Sequence, residues 1–225
     1  MDDLNARTIR AGLRGFAMLA VLIFLPAGTF RYWQGWALLV TFTVASTALT
    51  VYMALYDRTL LERRLRAGPR AETRTSQKII IVLVMLGSIV FLVFPVLDYR
   101  FGWSPVPPYV SIVGDGLIVL GYLFIFFVIK ENSYAASTIQ VAEDQRVIST
   151  GPYALVRHPM YAGALLLIIG LPLALDSWYG LFGIFGFLPV LIWRLLDEEN
   201  FLARNLPGYT EYKSMVRWRL IPGLF

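Results

Sequence analysis

Long apolar runs alternate with short polar, arginine-rich segments along the whole chain. Six apolar stretches stand out: Ala11 to Phe30, Tyr32 to Tyr56, Ile79 to Leu97, Tyr109 to Ile129, Pro159 to Leu175 and Ser177 to Trp193. Crossing a hydrocarbon core takes about 20 helical residues, so most of these runs predict spanning helices. The last two are short and meet at Asp176, Ser177 and Trp178, which predicts a tight antiparallel hairpin turning at the far interface. The first run follows a basic segment, as a signal peptide does, but Leu25-Pro26-Ala27-Gly28 offers no small-x-small cleavage site and the run is read as a mature helix. The expected class is all-α, a polytopic transmembrane bundle of about six membrane helices. Composition agrees: 57% of the residues are hydrophobic and 16% charged, where a soluble domain has roughly a quarter charged.

Charge then orients the bundle. All of the 20 lysines and arginines except Arg31 and Arg100 fall before the first helix, between the second and third, between the fourth and fifth, or after the sixth. The positive-inside rule therefore predicts both termini in the cytoplasm, with the inner membrane the location in a bacterium. Tyr32, Trp33, Trp36, Tyr99, Trp103, Trp178 and Tyr179 fall near the predicted outer interface. The net charge of +5 needs no nucleic acid, because these basic residues sit where anionic lipid headgroups lie. Leu60, Leu61 and Leu65 stand among arginines in the 57–77 segment, which reads equally as a short helix on the inner membrane surface or as a solvated basic loop. The chain divides into helices one to four with their basic 57–78 loop, residues 1–130, and a C-terminal part, 131–225, with the 159–193 hairpin and a tail.

The absence of cysteine excludes disulfides and thiol catalysis, and a single histidine, His158, leaves no ordinary catalytic zinc set. No metal is expected. Polar residues that topology does not explain concentrate in Glu131 to Tyr161 and Arg194 to Pro222, two segments that flank the hairpin and so reach one membrane face. Pro159 suits the first position of a helix, which puts His158 at its N-cap, and a helix start favours the carboxylate of an amino-acid-like ligand. The plainer alternative is that His158 only caps the helix and Arg157 only pairs with lipid phosphate. Arg194 and Glu198 are spaced i, i+4 and can pair on one face, with Glu199 about 100° away; an interfacial charge cluster is the alternative there.

Gly151-Pro152-Tyr153, the run Arg157-His158-Pro159-x-Tyr161-x-Gly163, Arg194-x-x-x-Glu198-Glu199-x-x-Leu202 and Tyr209-x-x-Tyr212 together resemble the isoprenylcysteine carboxyl methyltransferase family, in order, spacing and intervening hairpin. The resemblance covers Asn132 to Pro222. It implies an integral membrane methyltransferase that uses S-adenosylmethionine, bound in a cytoplasmic site formed by the loop between helices four and five and the C-terminal tail. Carried over residue by residue, it makes Tyr153, His158, Pro159, Tyr161 and Glu199 cofactor-site candidates and Arg194 and Glu198 reaction-centre candidates. It further implies a lipophilic or amphiphilic acceptor. A carboxylate acceptor would use Arg194 as its orienting cation; an amine acceptor, as in the related phospholipid N-methyltransferases, would use Glu198 or Glu199 as a base. Two other classes stay open on the residues alone: a small transporter or non-catalytic membrane protein, and a membrane reductase using NADPH, although no Gly-x-Gly-x-x-Gly fingerprint is present.

Overall fold

The computed structural model describes residues 3–72, 74–142 and 144–225. Their chain is all helical: α1 (Asp3–Ala27), α2 (Trp33–Tyr56), α3 (Arg58–Leu65), α4 (Thr75–Phe101), α5 (Pro108–Glu131), α6 (Pro159–Ala174), α7 (Ile184–Asn205) and α8 (Tyr209–Met215), with 3-10 turns at Gly151–Ala154 and Tyr179–Gly183. Five of the six expected spans have membrane length and apolar composition: α1, α2, α4, α5 and the continuous Tyr179–Asn205 segment. The protein is a multi-pass integral membrane protein. The sixth span, α6, has only 16 residues, or roughly 24 Å of rise, short of a hydrocarbon core of about 30 Å. The last span does not stop at Trp193 as the hydropathy suggests. It continues through Arg194, Asp197, Glu198 and Glu199, because residues from other segments engage each of these side chains.

Contacts sort the connections onto two ends of the bundle. At one end Arg7 Nη2 lies 3.9 Å from Glu62, and Arg64 Nη1 donates to the Ala135 carbonyl at 2.9 Å, which gathers the start of α1, α3 and the 132–158 connection. At the other, Tyr32 donates to the Leu175 carbonyl at 2.6 Å, and Arg100 to that of Pro26 at 3.0 Å. Asp98, fully buried there, accepts from the Ser104 amide at 2.7 Å and from the hydroxyls of Ser104 and Ser177. Asp176 turns the hairpin with a left-handed φ of 64°, and its carboxylate accepts from the Val106 amide at 2.7 Å. A buried carboxylate is tolerable when its oxygens are this fully hydrogen-bonded.

The 57–77 segment is part helix and part irregular. Asp57 accepts from the Leu60 amide at 2.9 Å and so caps α3, whose Leu60 and Leu61 are buried against Leu49, Met53, Ile125 and Ile129. These leucines face protein, where an interfacial helix would turn them to lipid.

Between α5 and α6 the backbones nearly touch. A Cβ on Gly114 would lie 2.4 Å from the Ala174 nitrogen, and one on Gly170 would lie 2.6 Å from the Gly114 carbonyl. One heptad further along, a Cβ on Gly121 would sit 2.9 Å from the Gly163 carbonyl. In lipid no water-driven force presses helices together, so this close backbone approach supplies the packing that holds α6 in place. Gly114→Ala and Gly170→Ala should each destabilise the detergent-solubilised protein by about 1–3 kcal/mol, the usual cost of overpacking. Gly116, on the same helix with open space at its Cβ, is the control. Thermal melts showing Gly116→Ala and Gly114→Ala equally stable would remove the helix contact as the cause.

Candidate functional site

A cavity of about 340 Å³ opens at the end of the bundle where the polar connections gather. Tyr153, His158, Pro159, Tyr161, Arg194 and Glu198 all line it, so six of the seven residues singled out from the sequence converge. Pro159 occupies the first turn of α6, where its missing N–H costs nothing, and His158 is the residue before the helix. The His158 side chain makes no capping bond. Its Nε2 instead stands 3.4 Å from Glu199 Oε1.

Glu199 is the seventh, and it lies behind the cavity wall. Only 2% exposed, its Oε1 accepts from Arg157 Nε at 2.6 Å and its Oε2 from Arg219 Nε at 3.2 Å, with Lys213 Nζ at 3.7 Å. Arg157 is buried too. It spends Nη1 on the carbonyls of Val216 and Arg217 at 2.7 and 2.8 Å, so the side chain is turned into the protein and not out to lipid phosphate. The backbone seals the same seam: the Arg157 and His158 amides donate to the carbonyls of Trp218 and Arg219, both at 2.9 Å. A tail with no long helix is thereby fastened over α7 and the start of α6.

Arg194 and Glu198 do not pair directly, although their i, i+4 spacing allows it. The Tyr161 hydroxyl stands between them, donating to Glu198 Oε2 at 2.7 Å and accepting from Arg194 Nε at 3.0 Å. The rest of the guanidinium donates to Gln77 Oε1 at 2.7 Å and to the Ser137 carbonyl at 3.1 Å, with Glu72 Oε1 at 3.5 Å. Gln77 in turn donates to Asp197, which also holds an ion pair with Arg74. Arg194 is thus fully engaged, whereas Glu198 spends one carboxylate oxygen on Tyr161 and keeps Oε1 unclaimed among the described residues.

Glu72, Gln77 and Ser137 are partners that the sequence reading did not find. Two come from the basic 57–77 segment, where arginines drew the attention, and the only signal was a glutamine and a glutamate placed just ahead of the Ile79 apolar run. Tyr153, Tyr209 and Tyr212 also line the cavity. Tyr153 accepts from Asn132 Nδ2 at 2.8 Å, and burial pushes its hydroxyl up to about 12. Tyr212 donates to the Tyr153 carbonyl at 2.8 Å, and the buried Tyr209 hydroxyl has no partner among the described residues. Burial raises the pKa of both, so all three stay neutral hydrogen-bonding groups.

Residues 109–207, a little under half of the chain, match the phospholipid methyltransferase family. The matched segment runs from α5 to the end of α7 and contains all seven residues singled out from the sequence; the tail from Tyr209 onward and the first hundred residues lie outside it. No curated protein matches the chain as a relative. The match is to the phospholipid enzymes, which share a membrane methyltransferase superfamily with the isoprenylcysteine enzymes that the motifs resemble. Over these residues the chain is similar to the phospholipid methyltransferase family, and the protein is a membrane methyltransferase that uses S-adenosylmethionine.

Proposed function

We propose that the protein methylates the amine headgroup of a phospholipid, with S-adenosylmethionine bound in the 340 Å³ cavity. The observation that carries this reading over carboxyl methylation is the contrast between Arg194 and Glu198. A carboxylate acceptor would need a free cation beside Glu198, and the cation that stands there, Arg194, is already spent on Tyr161, Gln77 and Ser137. An amine acceptor needs a base, and Glu198, which lines the cavity, has an oxygen unclaimed among the described residues. The matched family points the same way.

The residues present fit the donor. Pockets for ligands of this size occupy about 300–1,000 Å³, and this one combines several tyrosines with a buried Tyr209 hydroxyl that has no partner among the described residues and that a ribose or adenine group would satisfy. The start of α6, at His158 and Pro159, offers its dipole to the donor's carboxylate. Tyr153, His158, Pro159 and Tyr161 are the holding residues, and Glu199 acts through His158 and Arg157 by fixing where they stand. Bound S-adenosylmethionine would supply a sulfonium methyl for in-line transfer. The chain's own work is to align and to move one proton: Glu198 takes it from the acceptor ammonium, exposing the nitrogen lone pair, and Arg194 keeps Tyr161 pointed at Glu198.

The acceptor's apolar tails already lie in the bilayer. An apolar groove of about 720 Å³ between α4 and the Tyr179–Gly183 turn with α7 runs down to Val190, one helical turn from Arg194, and offers a path for such a chain. On this reading the polar end of the bundle is cytoplasmic, as the arginine distribution predicts.

Methyl label from the donor should appear in phospholipid as base-stable N-methyl groups when purified protein is supplied with amine-headgroup lipid in nanodiscs. Label released as methanol by mild base would instead identify a methyl ester and a carboxylate acceptor. Arg194→Ala and Glu198→Gln should cut turnover by about 100-fold or more with donor affinity little changed, and His158→Ala should weaken donor binding. Glu199→Gln is different: breaking a buried ion-pair cluster costs about 3–5 kcal/mol, so this variant should lose thermal stability along with donor binding. Calorimetry paired with melting curves separates these patterns. For topology, the cysteine-free chain allows clean single-site labelling; Arg70→Cys should react only from the cytoplasmic side and Trp178→Cys only from the opposite one. Reaction of both from one side would overturn the arrangement.

A further inference from the structure

Four arginines line the cavity, and three of them are accounted for. Arg157 is neutralised by Glu199, Arg194 faces Glu72 and, across Tyr161, Glu198, and Arg146 is exposed to solvent at the rim. Arg64 is the exception. It belongs to α3, outside the matched segment, and it is half-buried beside Asn132, Ala135 and Tyr153. Its one side-chain hydrogen bond runs from Nη1 to the Ala135 carbonyl at 2.9 Å, and it has no carboxylate partner among the described residues. Burial pulls its pKa down, opposed only by the nearby Tyr122 and Tyr153 hydroxyls. A guanidinium carries five N–H donors in a fork that matches a carboxylate or a phosphate, and burying one without a counter-charge is costly. Among the described residues no carboxylate balances this charge, which leaves the guanidinium open to an anion from a ligand.

We infer that Arg64 is an anion-binding residue of the cavity, receiving an oxyanion of the reactants: the carboxylate of the methyl donor's amino-acid part or the phosphate of the phospholipid acceptor. The inference rests on the reading that methyl transfer takes place in this cavity. It assigns a ligand contact to the N-terminal half of the chain, which family matching leaves blank. Charge-assisted bonds of this kind contribute about 10- to 100-fold in affinity.

The test uses full-length protein in nanodiscs as wild type, Arg64→Gln and Arg64→Lys. Calorimetry measures S-adenosylhomocysteine, which has the carboxylate, and 5′-methylthioadenosine, which lacks the whole amino-acid part; steady-state assays measure KM for phospholipid. If Arg64 holds the donor, Arg64→Gln weakens S-adenosylhomocysteine by about 10-fold or more and leaves methylthioadenosine unchanged. If it holds the acceptor, both nucleosides bind as in wild type while the phospholipid KM rises by a similar factor. Either way Arg64→Lys, which keeps the charge, recovers part of the loss. Unchanged constants in Arg64→Gln overturn the inference. So does an equal loss for both nucleosides with a lowered melting temperature and no recovery by lysine, which would reduce Arg64 to a staple on Ala135. Wild-type protein that binds neither nucleoside would instead bring down the reading of the cavity itself, and this assignment with it.

Discussion

One buried carboxylate holds the functional end of this protein together. Glu199 is removed from water yet surrounded by Arg157, His158, Arg219 and Lys213, which come from three parts of the seam: the turn before α6, the end of α8 and the terminal tail. Placing an ion in such surroundings costs several kcal/mol of desolvation, recovered only if its partners are in position. The carboxylate therefore constrains all of them at once. The tyrosine cluster of α8 and the Leu206 to Val216 cap pack onto Tyr153 and Leu202, and the Glu199 contacts join the backbone bonds of the seam in returning the tail to α7 as the roof of the cavity.

The network around Arg194 works on a different principle. Glu199 is surrounded by charges of opposite sign, whereas Arg194 is surrounded mainly by neutral acceptors at short range, with Glu72 further off and Glu198 reached through Tyr161. A neutral tyrosine between the two charges transmits orientation without collapsing them into a closed ion pair. Glu198 thereby keeps an oxygen available, which a direct i, i+4 pair would have consumed.

The membrane spans were readable from sequence because transfer into hydrocarbon depends on local length and composition, and four of the six helices fall within a few residues of their apolar runs. The end of α7 was not, since hydropathy sees the charges of Arg194 to Glu199 but not the partners that satisfy them. The candidate site was legible as far as its motifs ran: Tyr153, His158, Pro159, Tyr161, Arg194 and Glu198 share one cavity. Spacing alone misjudged two relations. It allowed an Arg194 and Glu198 contact that Tyr161 intercepts, and it gave no hint that Glu199 points away from the cavity into the tail. Glu72 and Gln77 stand more than a hundred residues from Arg194 in sequence, and no local pattern reports a contact of that range.

The wall that α3 and the loop after it contribute has a consequence for how such an enzyme can be altered. Apart from Tyr209 and Tyr212, the residues with recognisable motifs lie between 109 and 207, yet Arg64, which lines the cavity, and Glu72 and Gln77, which hold Arg194, come from the part of the chain that the family match does not reach. On the proposed reading, substitutions in the first hundred residues would act on the reaction at one remove, through Arg64 at the cavity and through the partners that hold Arg194. A chimera that exchanged only that stretch would keep the motifs of one parent in the surroundings of the other.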